Sequence, residues 1–275
     1  MSVKTILRKM RIPRILYYKW QLKKQLSQLP REEMQNNMQA LAALKGRYAG
    51  KRCFVIGNGP SLTTDDLDKL KNEISFASNR IYTLYNKTEW RPTFYAIQDD
   101  LVLKDALPFL RDVAKTSANG FVSINNYGSC KETVKELENL LWMPLRYCPP
   151  KHNQYAFSDA IEQEVFEGLT ITYSCLQLAA YMGFSEIYLL GTDHNYPVEL
   201  DSNGNVIKRD DTVQAYFADA KVPMSAVNLP KVVEMTRAFI SAEKHSRENG
   251  YRIFNATRGG KLEVFERVSF DELTL

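Results

Sequence analysis

Seven short apolar runs, at residues 53–56, 74–77, 93–97, 120–124, 145–148, 186–190 and 252–254, alternate with stretches of helical character. Runs this short suit strands of a parallel sheet, in which each connection between parallel neighbours must cross over, usually as a helix. Helical stretches fall at 65–70, 101–116, 130–141, 158–166, 172–182 and 230–249, the last stopping at Asn249-Gly250. The alternation predicts an α/β fold, a single Rossmann-like, mostly parallel sheet with helices on both faces. Ligands of such sheets bind at the carboxyl ends of the strands, where the loops gather. The residues that follow each run are therefore the candidates for chemistry.

The chain is long enough for one core and an appendage, and its charge is unevenly placed. Up to Arg31 it carries nine basic residues and no acidic one, which leaves 27 Lys and Arg against 32 Asp and Glu in the remainder. Interleaved with those bases are Leu7, Met10, Ile15, Leu16, Tyr17, Tyr18, Trp20, Leu22 and Leu26, largely at helical spacing. Residues 1–48 are thus expected to form a basic amphipathic helical arm, and 49–275 the Rossmann-like catalytic domain. The arm suits either an anionic membrane surface or packing on the body, and nucleic acid is not an expected partner. No run reaches the roughly 18 apolar residues of a membrane span. Four scattered cysteines without a CxxC pair point to reduced thiols and a cytoplasmic setting. The segment 201–211 is polar and reads as a loop.

The first run leads straight into Gly57-Asn58-Gly59-Pro60-Ser61-Leu62. Glycines flanking Asn58 permit a sharp turn and a close approach to a ligand, and free N–H groups there suit a phosphate. The pattern is neither GxGxxG nor GxxxxGK[ST], and a tight structural turn would also account for it. Asn79 and Arg80 end the second run, Asn79 facing the same crevice and Arg80 meeting either a phosphate or a surface carboxylate. The third run ends at Gln98-Asp99-Asp100, where a ligand role is favoured for Asp99 and helix capping is as good a reading for Asp100. Gly191-Thr192-Asp193-His194-Asn195-Tyr196 follows the 186–190 run. There His194, beside a carboxylate, is a candidate acid/base, with a structural histidine as the plain alternative. Thr170 and Thr172 flank the start of a helix and either contact a donor or cap. Asn255 and Arg258, in a loop with Gly259 and Gly260, suit a ligand or a turn. No zinc-ligand spacing and no GxSxG elbow occur.

Taken together, the GNGPSL at 57–62, Ser78-Asn79-Arg80, the helix at 172–182 and the run from Gly183 to Asp193 (GFSEIYLLGTD) resemble the MptE-like group. That group is named for an archaeal 6-hydroxymethylpterin diphosphokinase. The same features are similar to bacterial sialyltransferases of glycosyltransferase family 42. The resemblance spans roughly 51–272 and implies a GT-A-like variant of the family 42 type. It implies that Asn58, Gly59 and Ser61 lie along the nucleotide phosphates and sugar, that Asn79 contacts the nucleotide, and that the turn at 170–172 contacts the donor. In that family a histidine downstream of the GxD strand is the general base and tyrosines steady the departing phosphate. Here 210–221 (DDTVQAYFADAK) contains Tyr216 and no histidine, and the family's Thr-Ser-Gly is replaced by Thr170-Ile171-Thr172. The base is then His194 or a carboxylate such as Asp193, and Tyr196 and Tyr216 are the leaving-group candidates.

The resulting expectation is a sialyltransferase-like glycosyltransferase of bacterial surface polysaccharide or lipooligosaccharide synthesis. Its donor is a CMP- or UDP-linked sugar and its acceptor a glycan or lipid-linked glycan. No cofactor is obligatory and no metal site is expected, Mg²⁺ being optional. The enzyme would be peripheral at the inner face of the membrane through its arm, and a homo-oligomer is compatible with all of this. Two alternatives stand beside it. One is an MptE-type pyrophosphokinase, moving diphosphate from ATP to a pterin alcohol with Mg²⁺ on Asp99 and Asp193. The other is a non-catalytic, nucleotide-binding assembly protein.

Overall fold

A computed structural model describes residues 14–201, 203–208 and 228–275; Tyr216 and the bases Lys4, Arg8, Lys9 and Arg11 lie outside the described residues. In chain order the main elements are α1 (Arg14–Leu26), α2 (Arg31–Ala42), β1 (Arg52–Ile56), α3 (Thr64–Lys69), β2 (Ser75–Ser78), β3 (Phe94–Ile97) and α4 (Asp100–Ala106). There follow α5 (Leu110–Thr116), β4 (Asn119–Ser123), α6 (Tyr127–Lys135), β5 (Leu140–Met143), β6 (Leu145–Tyr147), β7 (Val165–Glu167) and α7 (Ile171–Tyr181). The last are β8 (Glu186–Leu190), β9 (Val198–Leu200), β10 (Val206–Lys208), α8 (Val232–Asn249), β11 (Arg252–Asn255) and β12 (Glu266–Arg267).

Eight strands form one sheet in the order β12-β11-β8-β1-β2-β3-β4-β5, with every pairing parallel. The chain steps outward from β1 to β5, then returns to lay β8 on the other side of β1. The direction of progress thus reverses between β1 and β8, the place where open parallel sheets leave a crevice. Because successive side chains point to opposite faces, each strand feeds two cores. Val55, Phe76, Phe94, Phe121 and Ile187 pack with α7 and α8 residues, including Leu176, Ala179 and Phe239. Phe54, Ala77, Tyr95, Ile97 and Val122 pack with Leu103, Leu110 and Val113 of α4 and α5.

The helices before β1 close one edge of this sheet. Leu41 and Leu44 join the first core, and Leu22 and Leu29 join the second. The Asn37 side chain donates to the Trp142 carbonyl at 2.9 Å and accepts from the Trp142 N–H at 2.7 Å. One amide thereby satisfies both free backbone groups of an edge-strand residue, which would otherwise offer a pairing site. Asn37→Ala should cost about 2 kcal/mol, as expected for buried polar groups left without partners. For a chain of this size that is a fall in Tm of roughly 4–8 °C, readable in a thermal melt.

Four stretches differ from the sequence reading. The run at 145–148 is not a strand of the main sheet: Pro144 interrupts the ladder, and β6 pairs only with β7. The main sheet instead takes β5, since the helix expected over 130–141 stops at Lys135 and its last apolar residues become the edge. Residues 158–166 are not helical. The buried Gln177 amide holds them open, accepting from the Ser158 and Phe166 N–H groups and donating to the Phe166 and Tyr173 carbonyls. The stretch 101–116 is α4 and α5 joined by a 3-10 turn at Leu107–Phe109 that contains Pro108. All four cysteines are buried and unpaired. Among the described residues no helix is long and apolar enough to cross a membrane.

Candidate functional site

At the switch point the loops after β1 and β8 touch each other directly. Gly57 N–H donates to the Leu190 carbonyl at 2.7 Å and Gly59 N–H to the Gly191 carbonyl at 2.9 Å. A Cβ at Gly57 would lie 2.2 Å from the Gly191 carbonyl oxygen, and one at Gly59 would lie 1.9 Å from Asp193 Oδ2. The glycines are thus required by loop-on-loop contact, a reason the sequence reading did not foresee. Asp193 completes the brace. Its Oδ2 accepts from Ser61 Oγ at 2.7 Å, its carbonyl accepts from Lys261 N–H, and burial pushes its carboxyl above the usual range.

A small cleft of about 120 Å³ lies above this brace, lined by Asn58, Asn79, Thr170, Thr172, Thr192, His194 and Tyr196 among others. Asn58 Nδ2 donates to the Ser78 carbonyl at 3.2 Å, which fixes its amide at the end of β1. Among the described residues, Asn58 Oδ1, Asn79 Oδ1, Thr192 Oγ1 and His194 Nδ1 are all buried without a hydrogen-bond partner. Each buried polar atom left so costs roughly 1–3 kcal/mol, and such atoms call for an explanation. Asn79 (φ 54°) and His194 (φ 51°) are moreover held in the left-handed region, a strain that clusters at binding and catalytic sites. The cleft also receives the amino end of α7. There Thr170 is the N-cap, its Oγ1 accepting from Thr172 N–H at 3.3 Å. The partial positive charge of that helix end favours an anion.

The Thr236 hydroxyl lies between the Val232 carbonyl and His194 Nε2. Thr236 Oγ1 donates its only proton to the Val232 carbonyl at 2.9 Å. With its proton there, it accepts from His194 Nε2–H, 2.8 Å away. That leaves Nδ1 with a free lone pair. The ring sits edge-on to Phe239 and Tyr196, and burial pulls its pKa down to about 4. The imidazole is therefore neutral at physiological pH and able to take a proton.

A second cavity, of about 700 Å³, adjoins the first and shares Asn79, Thr170, Ile171, Tyr196 and Met235 with it. Its polar lining includes Gln98, Asp99, Asn125, Asn126, Glu167 and Asn228. Asp99, and not Asp100, is the cap of α4: Oδ1 accepts from Leu101 and Val102 N–H, and Oδ2 from Asn228 Nδ2 at 2.6 Å. Burial and the nearby Asp99 raise the pKa of Glu167. Neither Glu167 nor the Asn125-Asn126 pair was picked out from the sequence. Glu167 was hidden by the helix expected over 158–166, while the amides after β4 carry the same strand-end signal as Asn58 and Asn79.

Several residues singled out from the sequence stand elsewhere. Arg80 is buried against Asp105 at 2.5 Å and does not line the cleft. Asn255 holds its own turn, donating to the Leu262 carbonyl and accepting from Thr257 N–H. Arg258 pairs with Asp66 and Asp271, which makes it a clasp between α3 and the C-terminal segment. Pro60 and Ser61 flank the cleft without lining it.

A family model described as 6-hydroxymethylpterin diphosphokinase MptE-like matches residues 27–199. No curated protein matches the chain. Among solved structures the chain is similar to the MAf glycosyltransferase from Magnetospirillum magneticum AMB-1, with a TM-score of 0.52 at 15% identity. That match covers 88% of this chain and 39% of the other, so this chain spans well under half of the MAf glycosyltransferase. The sialyltransferase CstII from Campylobacter jejuni, solved with cytidine-5'-monophosphate, aligns with a TM-score of 0.47 at 14% identity, over 80% of this chain and 86% of that one. At 15% identity the likeness to the MAf glycosyltransferase is one of fold.

Proposed function

We propose, for a chain that belongs to the MptE-like family, that it is a glycosyltransferase whose nucleotide-sugar donor is anchored in the small cleft and extends into the adjoining cavity, where the acceptor also enters. The observation that carries this reading is the set of four unpartnered buried polar atoms at the amino end of α7. Asn58 Oδ1 and Asn79 Oδ1 accept hydrogen bonds from the ribose or base. The α7 amino end receives the phosphate, stabilising it most as it departs with the charge of the broken bond. His194 Nδ1 takes the proton of the acceptor hydroxyl while that oxygen bonds to the anomeric carbon and the carbon–phosphate oxygen bond breaks. Asp193 acts as a brace, because its Oδ2 is already engaged by Ser61. Tyr196, at the boundary of the two cavities, is the described candidate for steadying the leaving phosphate.

The pyrophosphokinase reading named by the family has a geometric difficulty if its Mg²⁺ is to sit on both Asp99 and Asp193. In the strand order β8-β1-β2-β3 those residues follow strands three positions apart, about 14 Å at the usual strand spacing. Both carboxylates are also committed to local partners.

A thermal-shift series with CMP, UDP, GDP and ATP, each with and without Mg²⁺, separates the two. Stabilisation by CMP or UDP without metal supports glycosyl transfer, and stabilisation only by ATP with Mg²⁺ overturns it. The pH dependence adds a check. A base with a pKa of about 4 in the free protein is lost only as pH falls through that value. Thus kcat/KM should stay level from neutrality to about pH 5, whereas an unburied histidine would lose it through roughly pH 6.5.

A further inference from the structure

α1 presents two unlike faces. Its inner face buries Leu22 in the second core and sets the Tyr18 ring edge-on to Tyr147 of β6, 4.9 Å between centroids. Its outer face leaves Leu16 54% and Trp20 56% exposed, one turn apart, with Lys19, Lys23 and Lys24 exposed around them. Lys24 Nζ lies 5.5 Å from the centre of the Trp20 ring, so cation and aromatic form one patch. α1 contains no acidic residue, and the residues before it add Lys4, Arg8, Lys9 and Arg11 and no acid. Large exposed apolar side chains ringed by cations match one environment well, the boundary of an anionic bilayer. There Trp and Leu enter the acyl region and lysine stems reach lipid phosphates. A polyanion such as RNA would satisfy the lysines and leave Leu16 and Trp20 in water.

We infer that the outer face of α1 docks this protein on an anionic lipid surface, through Leu16 and Trp20 in the bilayer and Lys19, Lys23 and Lys24 on its headgroups. The placement has a consequence for the substrate, which rests on the glycosyl-transfer reading above. α1 packs against β6, and Leu145 of β6 and Glu167 of its partner β7 line the larger cavity. Docking by this helix brings that cavity close to the bilayer, so its acceptor is one displayed at a membrane surface.

The test is co-sedimentation of the full chain with vesicles of phosphatidylcholine alone or with about a third phosphatidylserine, a content that gives a surface potential of biological size. Binding should appear only with phosphatidylserine and weaken as salt rises. The variant carrying Lys19→Glu, Lys23→Glu and Lys24→Glu should lose at least tenfold in affinity, and Trp20→Ala severalfold. Both should keep the wild-type Tm and nucleotide response, which separates failure of the docking from failure of the proposed reaction. Equal binding to neutral vesicles, undiminished binding by the triple variant, or self-association through this face without vesicle binding would each overturn the inference.

Discussion

Replacing His194 by alanine should lower turnover by roughly 10²- to 10⁴-fold, the usual worth of a positioned general base, while nucleotide affinity stays within about twofold. The split follows from the geometry. Nε2 is spent on Thr236, and Nδ1 is the basic atom that lacks a partner in the cleft. His194→Gln is the useful companion, because its amide can still bond Thr236 but puts no basic nitrogen in place of Nδ1. It should be as inactive as the alanine variant and melt closer to wild type. Equal nucleotide-induced thermal shifts in all three proteins would exclude a folding explanation. Normal turnover in either variant would remove His194 from the chemistry.

Gly57→Ala should be the most damaging small substitution in the site. A methyl group 2.2 Å from the Gly191 carbonyl oxygen meets backbone on backbone, which no rotamer change relieves. The loops after β1 and β8 must separate, breaking the Gly57 N–H bond to Leu190 and displacing Asn58 from Ser78. Overpacking of this severity costs about 3 kcal/mol, or roughly 6–12 °C in Tm for a chain of this length. Nucleotide binding should be lost with it. Gly128→Ala is the control, since nothing lies within 4 Å of a Cβ there and the residue is inside α6. It should raise stability by roughly 0.5–1 kcal/mol.

Much of the fold was legible because short buried strands and their crossover helices leave a plain alternation in the sequence. The central strands β1 to β4, β8 and β11 were readable as apolar runs for that reason. Legibility failed where one residue overrides a local pattern. Pro144 splits a continuous apolar stretch into β5 and β6, and Gln177, distant in sequence, keeps 158–166 from coiling. The site divided in the same way. Asn58, Asn79, Thr170, Thr172, Asp193, His194 and Tyr196 were visible because strand ends in such sheets gather, and all seven line the small cleft. Arg80 and Arg258 looked similar in the sequence, yet their partners Asp105, Asp66 and Asp271 are tertiary and carry no local signal, while Asn255 is spent on its own turn. Asp99 could have been assigned to capping from the helix start that follows it.

The proposal stands or falls on where a nucleotide sits. A crystal structure of this protein with CMP or UDP should place the phosphate within hydrogen-bond distance of the α7 amino end at Thr170–Thr172. It should also place the ribose or base against Asn58 Oδ1 and Asn79 Oδ1. A nucleotide bound elsewhere, with those amide oxygens untouched, would contradict the account.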